Sequence, residues 1–222
     1  MQRNETVRLG VQAGWIPDAK AYLLAHCRNR SVLNVGAAGN VEYYLPQRKH
    51  LWLHAALADA AADLVGVDVD AESVGYAERA GVHLVLANCE TMRLDRCFDV
   101  VVLSEVIEHL DAPGMALKNL MAHLNPGGKL LITTPNPSYY GFVVRTTARL
   151  ELNIYYDHVV SFYPENLVAM CNRHGYRMTD LKFFSWTGTG PANIRIKSWM
   201  ARNIGKVFHR LNNSFLVAIE AA

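Results

Sequence analysis

The chain has 222 residues, 51% of them hydrophobic and 19% charged, which suits one sizeable α/β domain with a continuous core. A net charge of +2 is too small to mark a polyanion as partner on charge alone. The four cysteines, Cys27, Cys89, Cys97 and Cys171, form no CxxC pair, so free thiols in a reducing, cytoplasmic setting are expected. The opening MQRNETVRLG lacks the apolar core of a secretory signal, and no apolar run reaches the ~20 residues of a bilayer span.

Residues 1–30 are expected to form an N-terminal helical extension of a single domain covering 1–222. SVLNV (31–35), DLVGVD (63–68), VHLVLA (82–87), FDVVVL (98–103) and GKLLITT (128–134) then read as strands. Near-continuous apolar strands without alternation are those buried on both faces, as in a parallel sheet flanked by helices. Between them LWLHAALADAAA (51–62), AESVGYAERA (71–80) and PGMALKNLMAHL (113–124) read as helices, with Gly81 closing the second. Strand and helix alternating in this way predict a doubly wound α/β sheet with helices on both faces and a ligand crevice at the strands' carboxyl ends. After Thr134 a long Tyr-rich stretch, 135–163, reads as a lid or substrate insertion. PENLVAMCNRHG follows as a helix, and RMTDLKFFSW (177–186) and NSFLVAIEA (213–221) as two final strands.

The first strand runs into a small-residue turn, VLNVGAAGN (32–40), where Gly36 and Gly39 let the backbone bend close to a ligand. Such a turn suits a nucleotide, a dinucleotide, or no ligand at all. The second strand leaves Asp68 at its carboxyl end, where a carboxylate can accept both hydroxyls of a ribose; Asp70 reads as a helix cap. The third ends in LANCE, whose Asn88 could read the edge of an adenine ring.

The series VLNVGAAGN, VGVD, ANCE, FDVVVLSEVIEHL and LNPGGKLLITTPN resembles the class I S-adenosylmethionine-dependent methyltransferases over about residues 30–220. The resemblance implies a mostly parallel seven-stranded sheet of order 3-2-1-4-5-7-6 whose last strand is antiparallel. It implies that Asn34, Gly36, Ala37 and Gly39 form the turn around the cofactor's methionine moiety. Asp68 would then lie at the ribose, Asn88 and Cys89 at the adenine and Ser104 beside the sulfonium, with Val69 and Glu90 among the other cofactor-binding residues. Asn34 stands where the family usually has an acid, and Ala38 and Asn40 where it has glycines.

Glu105, Glu108 and His109 are spaced i, i+3, i+4, which on one turn of helix places them on a single face above the crevice. Crowded carboxylates call for a cation or a protonated partner. His109 is a natural acceptor for a hydroxyl proton; a divalent ion could serve instead by coordinating the hydroxyl. EVIEH, followed later by His158 in YYDHVVSFYPENL, resembles two branches of the family, the ubiquinone-type O-methyltransferases and the small-RNA 3′-terminal 2′-O-methyltransferases. In those branches the matching positions are metal ligands, so the resemblance implies Glu105, Glu108, His109 and His158 around Mg²⁺ or Mn²⁺. The alternatives are His109 as a base without metal, and Glu108 and His109 as loop-orienting residues.

The expected reaction is O-methylation of a small-molecule hydroxyl, on a sugar or secondary metabolite, with His109, Glu108 and His158 as the catalytic candidates. RNA ranks second as acceptor: over 195–211 a helix would align Arg195, Arg202, Lys206 and Arg210 opposite an apolar face. A non-catalytic, cofactor-binding scaffold is the third reading, suggested by Asn34, Ala38 and Asn40.

Overall fold

The computed structural model describes residues 6–186 and 203–222. In chain order the elements begin with β1 (Ala13–Trp15), α1 (Ala19–Cys27), β2 (Ser31–Val35), α2 (Val41–Tyr44), α3 (Leu53–Ala60), β3 (Asp63–Asp68), α4 (Ala71–Arg79) and β4 (Val85–Leu86). They continue with β5 (Phe98–Ser104), α5 (Pro113–Ala122), β6 (Leu124–Pro135), α6 (Tyr140–Thr147), α7 (Pro164–Arg173), β7 (Tyr176–Phe184) and β8 (Ser214–Ala221). This is a mixed α/β fold, as expected, with eight strands among the described residues rather than seven. The additional strand, β1, lies in the stretch expected to be helical, where α1 accounts for the rest. Two compact units divide the chain, Lys20–Ile132 on the one hand and Met1–Ala19 with Thr133–Ala222 on the other, the division falling inside β6.

In the unit Lys20–Ile132 the strands stand in the order β5-β2-β3-β4, all parallel. This matches the 4-1-2-3 portion of the expected order. Both faces of β5 are buried: Phe98, Val100, Val101, Val102 and Leu103 are all inaccessible to solvent. An uninterrupted apolar strand is stable only with cover on both sides, which helices supply. Ser31 ties the starts of β2 and β5, its N–H and hydroxyl both donating to Asp99 Oδ2 at 3.0 and 2.8 Å. Asp70 caps α4 as expected, accepting from the Glu72 N–H at 3.1 Å and the Ser73 hydroxyl at 2.6 Å. Gly81 leaves that helix with φ of +78°, a conformation natural only to glycine.

The other unit carries β1-β7-β8, with β1 parallel and β8 antiparallel to β7. The antiparallel pairing of the last two strands is therefore as expected. Phe183 and Phe215, opposite one another in the register, are both buried with ring centroids 6.0 Å apart. Residues 137–161, within the stretch expected to be a lid, contain no buried side chain, and Tyr156 is fully exposed.

Several boundaries differ from those expected. β4 has two residues instead of six, because Leu86 is already exposed and β4 is the last strand of its order. β6 begins at Leu124, so that NPGG lies inside the strand and not in a turn before it. The basic helix read over 195–211 falls outside the described residues up to Arg202; residues 203–207 are helical and His209–Leu211 form a 3-10 turn.

Candidate active site

The turn after β2 is fixed from several directions before any ligand is considered. Ala37 donates its N–H to the Val67 carbonyl at 3.0 Å, and its own carbonyl accepts the Trp52 indole N–H at 2.9 Å. Ala38 donates its N–H to Asp68 Oδ2 at 2.9 Å, and the other Asp68 oxygen accepts the Asp70 N–H at 3.1 Å. Asp68 thus lies against the turn, bonded to it through the Ala38 N–H. Gly36 has φ of +71°, and a Cβ there would stand 2.4 Å from Val106 Cγ2, so both backbone conformation and space require glycine. The Ala38 methyl, where a glycine was the family expectation, is fully buried in a cluster with Val41, Leu45, Trp52, Ala77 and Leu84.

Asn34 is buried on β2, and its Nδ2 lies 3.2 Å from His54 Nδ1 on α3. The amide donates and the ring accepts, which places the imidazole proton on Nε2. Burial lowers the His54 pKa from 6.5 to about 4, so the ring is neutral at physiological pH. Trp52 and His54 are the residues sequence reasoning missed; LWLHAAL marked a helix there, but nothing in it announced contacts to a turn fifteen residues earlier.

The third strand's end is braced by α5. Asn88 Oδ1 accepts the Glu90 N–H at 2.8 Å, and Glu90 Oε1 accepts the Ala112 N–H at 2.6 Å. Buried Asn119 donates to the Cys89 and Met92 carbonyls at 2.9 and 3.1 Å and accepts from Arg93 Nη1 at 2.7 Å. Cys89 is buried, which pushes its thiol up to about 11 and keeps it protonated. Val69, between Asp68 and Asp70, is by contrast 68% exposed, an apolar surface at the strand ends.

After Ser104 the chain does not enter an α-helix. Glu105 has φ of +53°, a strained conformation for a side chain of that size, and Ile107–His109 form a 3-10 turn closed by His109 N–H to the Val106 carbonyl at 3.0 Å. The helical face assumed for Glu105, Glu108 and His109 is therefore replaced by a reversal of the backbone followed by a tight turn. Glu108 is buried at 1% exposure, and its Oε1 lies 4.0 Å from His109 Nε2. His158 belongs to the other unit, where its N–H donates to the Tyr155 carbonyl at 3.1 Å and its ring lies 5.2 Å from that of Tyr155. In the same unit buried Asn136, at the head of the Tyr-rich stretch, donates through Nδ2 to the Arg210 and Asn212 carbonyls, both at 2.7 Å.

A parallel sheet carrying a glycine turn, an acid and a polar loop on successive strand ends defines a nucleoside-binding α/β fold. The family model described as methyltransferase domain matches residues 13–181, and the chain belongs to that family. Its fold is that of the class I S-adenosylmethionine-dependent methyltransferases. Among curated relatives, the ubiquinone biosynthesis O-methyltransferase of Coxiella burnetii (strain Dugway 5J108-111) is 24% identical over 166 residues, 69% of this chain and 66% of its own. The chain thus spans just under two thirds of that relative's length. Among solved structures, the CcbJ methyltransferase from Streptomyces caelestis has a TM-score of 0.58 at 17% identity, covering 94% of this chain and 91% of its own. The N-methyltransferase NodS from Bradyrhizobium japonicum WM9 in complex with S-adenosyl-l-homocysteine has a TM-score of 0.53 at 15% identity, covering 90% and 84%. No helix among the described residues is long and apolar enough to cross a membrane.

Proposed function

We propose that the chain binds S-adenosylmethionine across the carboxyl ends of β2, β3 and β4 and transfers its methyl group to a hydroxyl of a small molecule. The observation that carries the reading is the bond from the Ala38 N–H to Asp68 Oδ2, which joins the acid to the glycine turn in one prebuilt unit. Gly36, Ala37 and Gly39 give the methionine moiety backbone to lie against, Asp68 accepts from the ribose diol, and Val69, Asn88 and Cys89 take the adenine. NodS, a structural neighbour, is described with the demethylated product bound, and the Coxiella relative is described as an O-methyltransferase; both support the reading.

In the transfer the acceptor oxygen forms a bond to the methyl carbon while the carbon–sulfur bond breaks and its electron pair returns to sulfur. The hydroxyl proton passes to His109 Nε2. Buried Glu108 stands beside that ring, its Oε1 4.0 Å from Nε2. A carboxylate and an imidazole within one tight turn also suit a hard divalent cation, Mg²⁺ or Mn²⁺. Glu105, Glu108 and His109 would hold it, and such an ion would lower the pKa of a coordinated hydroxyl.

Calorimetric titration with S-adenosylhomocysteine, with and without Mg²⁺ or Mn²⁺, tests binding and metal together. Absence of binding would refute the assignment. His109→Ala should reduce kcat by about 100-fold with the cofactor dissociation constant little changed. The reverse pattern would make His109 a binding element.

A further inference from the structure

We propose that His54 is a positioning residue for the cofactor turn, holding Asn34, on the strand that leads into the turn, in place from the core side so that its loss weakens cofactor binding beyond any general loss of stability. The inference rests on the reading that this turn binds S-adenosylmethionine.

The geometry begins with the sheet register. Asn34 of β2 lies opposite Gly66 of β3, and paired residues of a parallel ladder share a face. On that face Gly66 has no side chain, and the space is taken: a Cβ there would stand 2.5 Å from His54 Cε1 and 2.9 Å from the Ala37 Cβ. His54 therefore reaches the sheet only because residue 66 is glycine, and the same opening admits the Ala37 methyl. One gap in β3 brings the ring and the turn together.

The ring supplies what the strand needs there. Asn34 is buried, and its Nδ2 finds the acceptor in His54 Nδ1. Two residues further on, the backbone must leave the strand at Gly36 with positive φ. An amide left without an acceptor would turn or draw in water, and the strand end would shift with it. Trp52, two residues before His54 and with its ring centroid 5.1 Å away, holds the Ala37 carbonyl. α3 thus grips the turn at two places. A histidine serving only to fill the core could be replaced by an aromatic ring of similar size at little cost, and buried apolar rings are the commoner solution.

The experiment compares His54→Phe, which keeps a ring but removes the acceptor, with His54→Gln, which keeps an acceptor. Leu57→Ala, on the same helix and fully buried, controls for a loosened core. Affinity for S-adenosylhomocysteine should fall about tenfold in His54→Phe and stay within about threefold in His54→Gln. Leu57→Ala should lower the unfolding temperature at least as much yet leave the affinity unchanged. Equal affinities in His54→Phe and Leu57→Ala would overturn the proposal. Should the wild-type chain not bind S-adenosylhomocysteine, the functional reading fails and the positioning role is judged on the ligand-free protein. There, amide exchange at Ala37 and Ala38 should quicken about tenfold in His54→Phe relative to Leu57→Ala. Equal exchange in the two variants would overturn it.

Discussion

The buried imidazole of His54 makes stability depend on pH in a direction that the structure fixes. Desolvation lowers its pKa from 6.5 to about 4 in the folded protein. Below pH 6.5 the unfolded chain takes up a proton that the folded protein refuses until about pH 4. The contribution is therefore fully present above pH 6.5 and is lost as pH falls through that window. Linkage between these two values gives a loss of about 2 kcal/mol by pH 5 and about 3 kcal/mol by pH 4. A loss of that size is a sizeable fraction of the ~5–15 kcal/mol that holds a typical domain together. The assay is urea unfolding at pH 7.5, 6 and 5 for the wild type and for His54→Gln, which cannot titrate. Subtracting the two series removes the contributions of every other histidine and carboxylate. Wild type should lose about 2 kcal/mol more than the variant between pH 7.5 and pH 5. Parallel curves over that range would show that His54 is not held neutral by burial, and the account of the Asn34–His54 pair would fail with it.

Gly36→Ala forces a side chain into the left-handed region and against Val106; a stability loss of about 1–2 kcal/mol and at least about tenfold weaker binding of S-adenosylhomocysteine are expected from thermal unfolding and calorimetry. Asp68→Asn leaves one side-chain acceptor oxygen where two now hold the Ala38 and Asp70 amides, and the same titration should show affinity reduced by about tenfold or more. Asn119→Ala strips the Cys89 and Met92 carbonyls of their buried donor and should cost about 1–3 kcal/mol of unfolding free energy, with a severalfold loss of cofactor affinity. Unchanged affinity in that variant would separate the 88–92 loop from cofactor binding.

What could be read from the sequence follows from how local each determinant is. β2 and β3 occupy 31–35 and 63–68, the stretches expected, because each carries a short apolar run, Val32–Leu33 with Val35 and Leu64–Val65 with Val67, that marks a strand locally even with polar residues at its ends. Asp70 is legible for a similar reason: a cap acts within its own turn, on Glu72 and Ser73. β1 is not. Its three residues are too short to show any period, and its strand identity rests on a partner, β7, more than 160 positions away. The reversal at Glu105 was equally hidden, since the i, i+3, i+4 spacing fits a helix and nothing in the letters marks a glutamate with positive φ.

The site divides in the same way. Gly36 and Asp68 can be named from the chain because each carries its role in its own chemistry, as conformational freedom or as a carboxylate at a strand end. His54, Trp52 and Gly66 acquire theirs only from one another: the glycine matters because a ring occupies its missing side chain, and the ring matters because an amide on the neighbouring strand donates to it. Asn34 shows the cost of reading such a position alone. By sequence it is a family acid lacking its charge, a departure that counts against cofactor binding. In the fold its amide supplies a donor to a neutral ring, a bond that a carboxylate could match only with the ring protonated at that nitrogen. The exchange of acid for amide thus belongs with the buried histidine behind it, and Asn34→Asp should raise the His54 pKa toward or above 6.5, measurable as a downfield-shifted, later-titrating imidazole resonance. An unmoved titration in that variant would mean that the two side chains are not coupled, and that the missing acid has no partner to explain it.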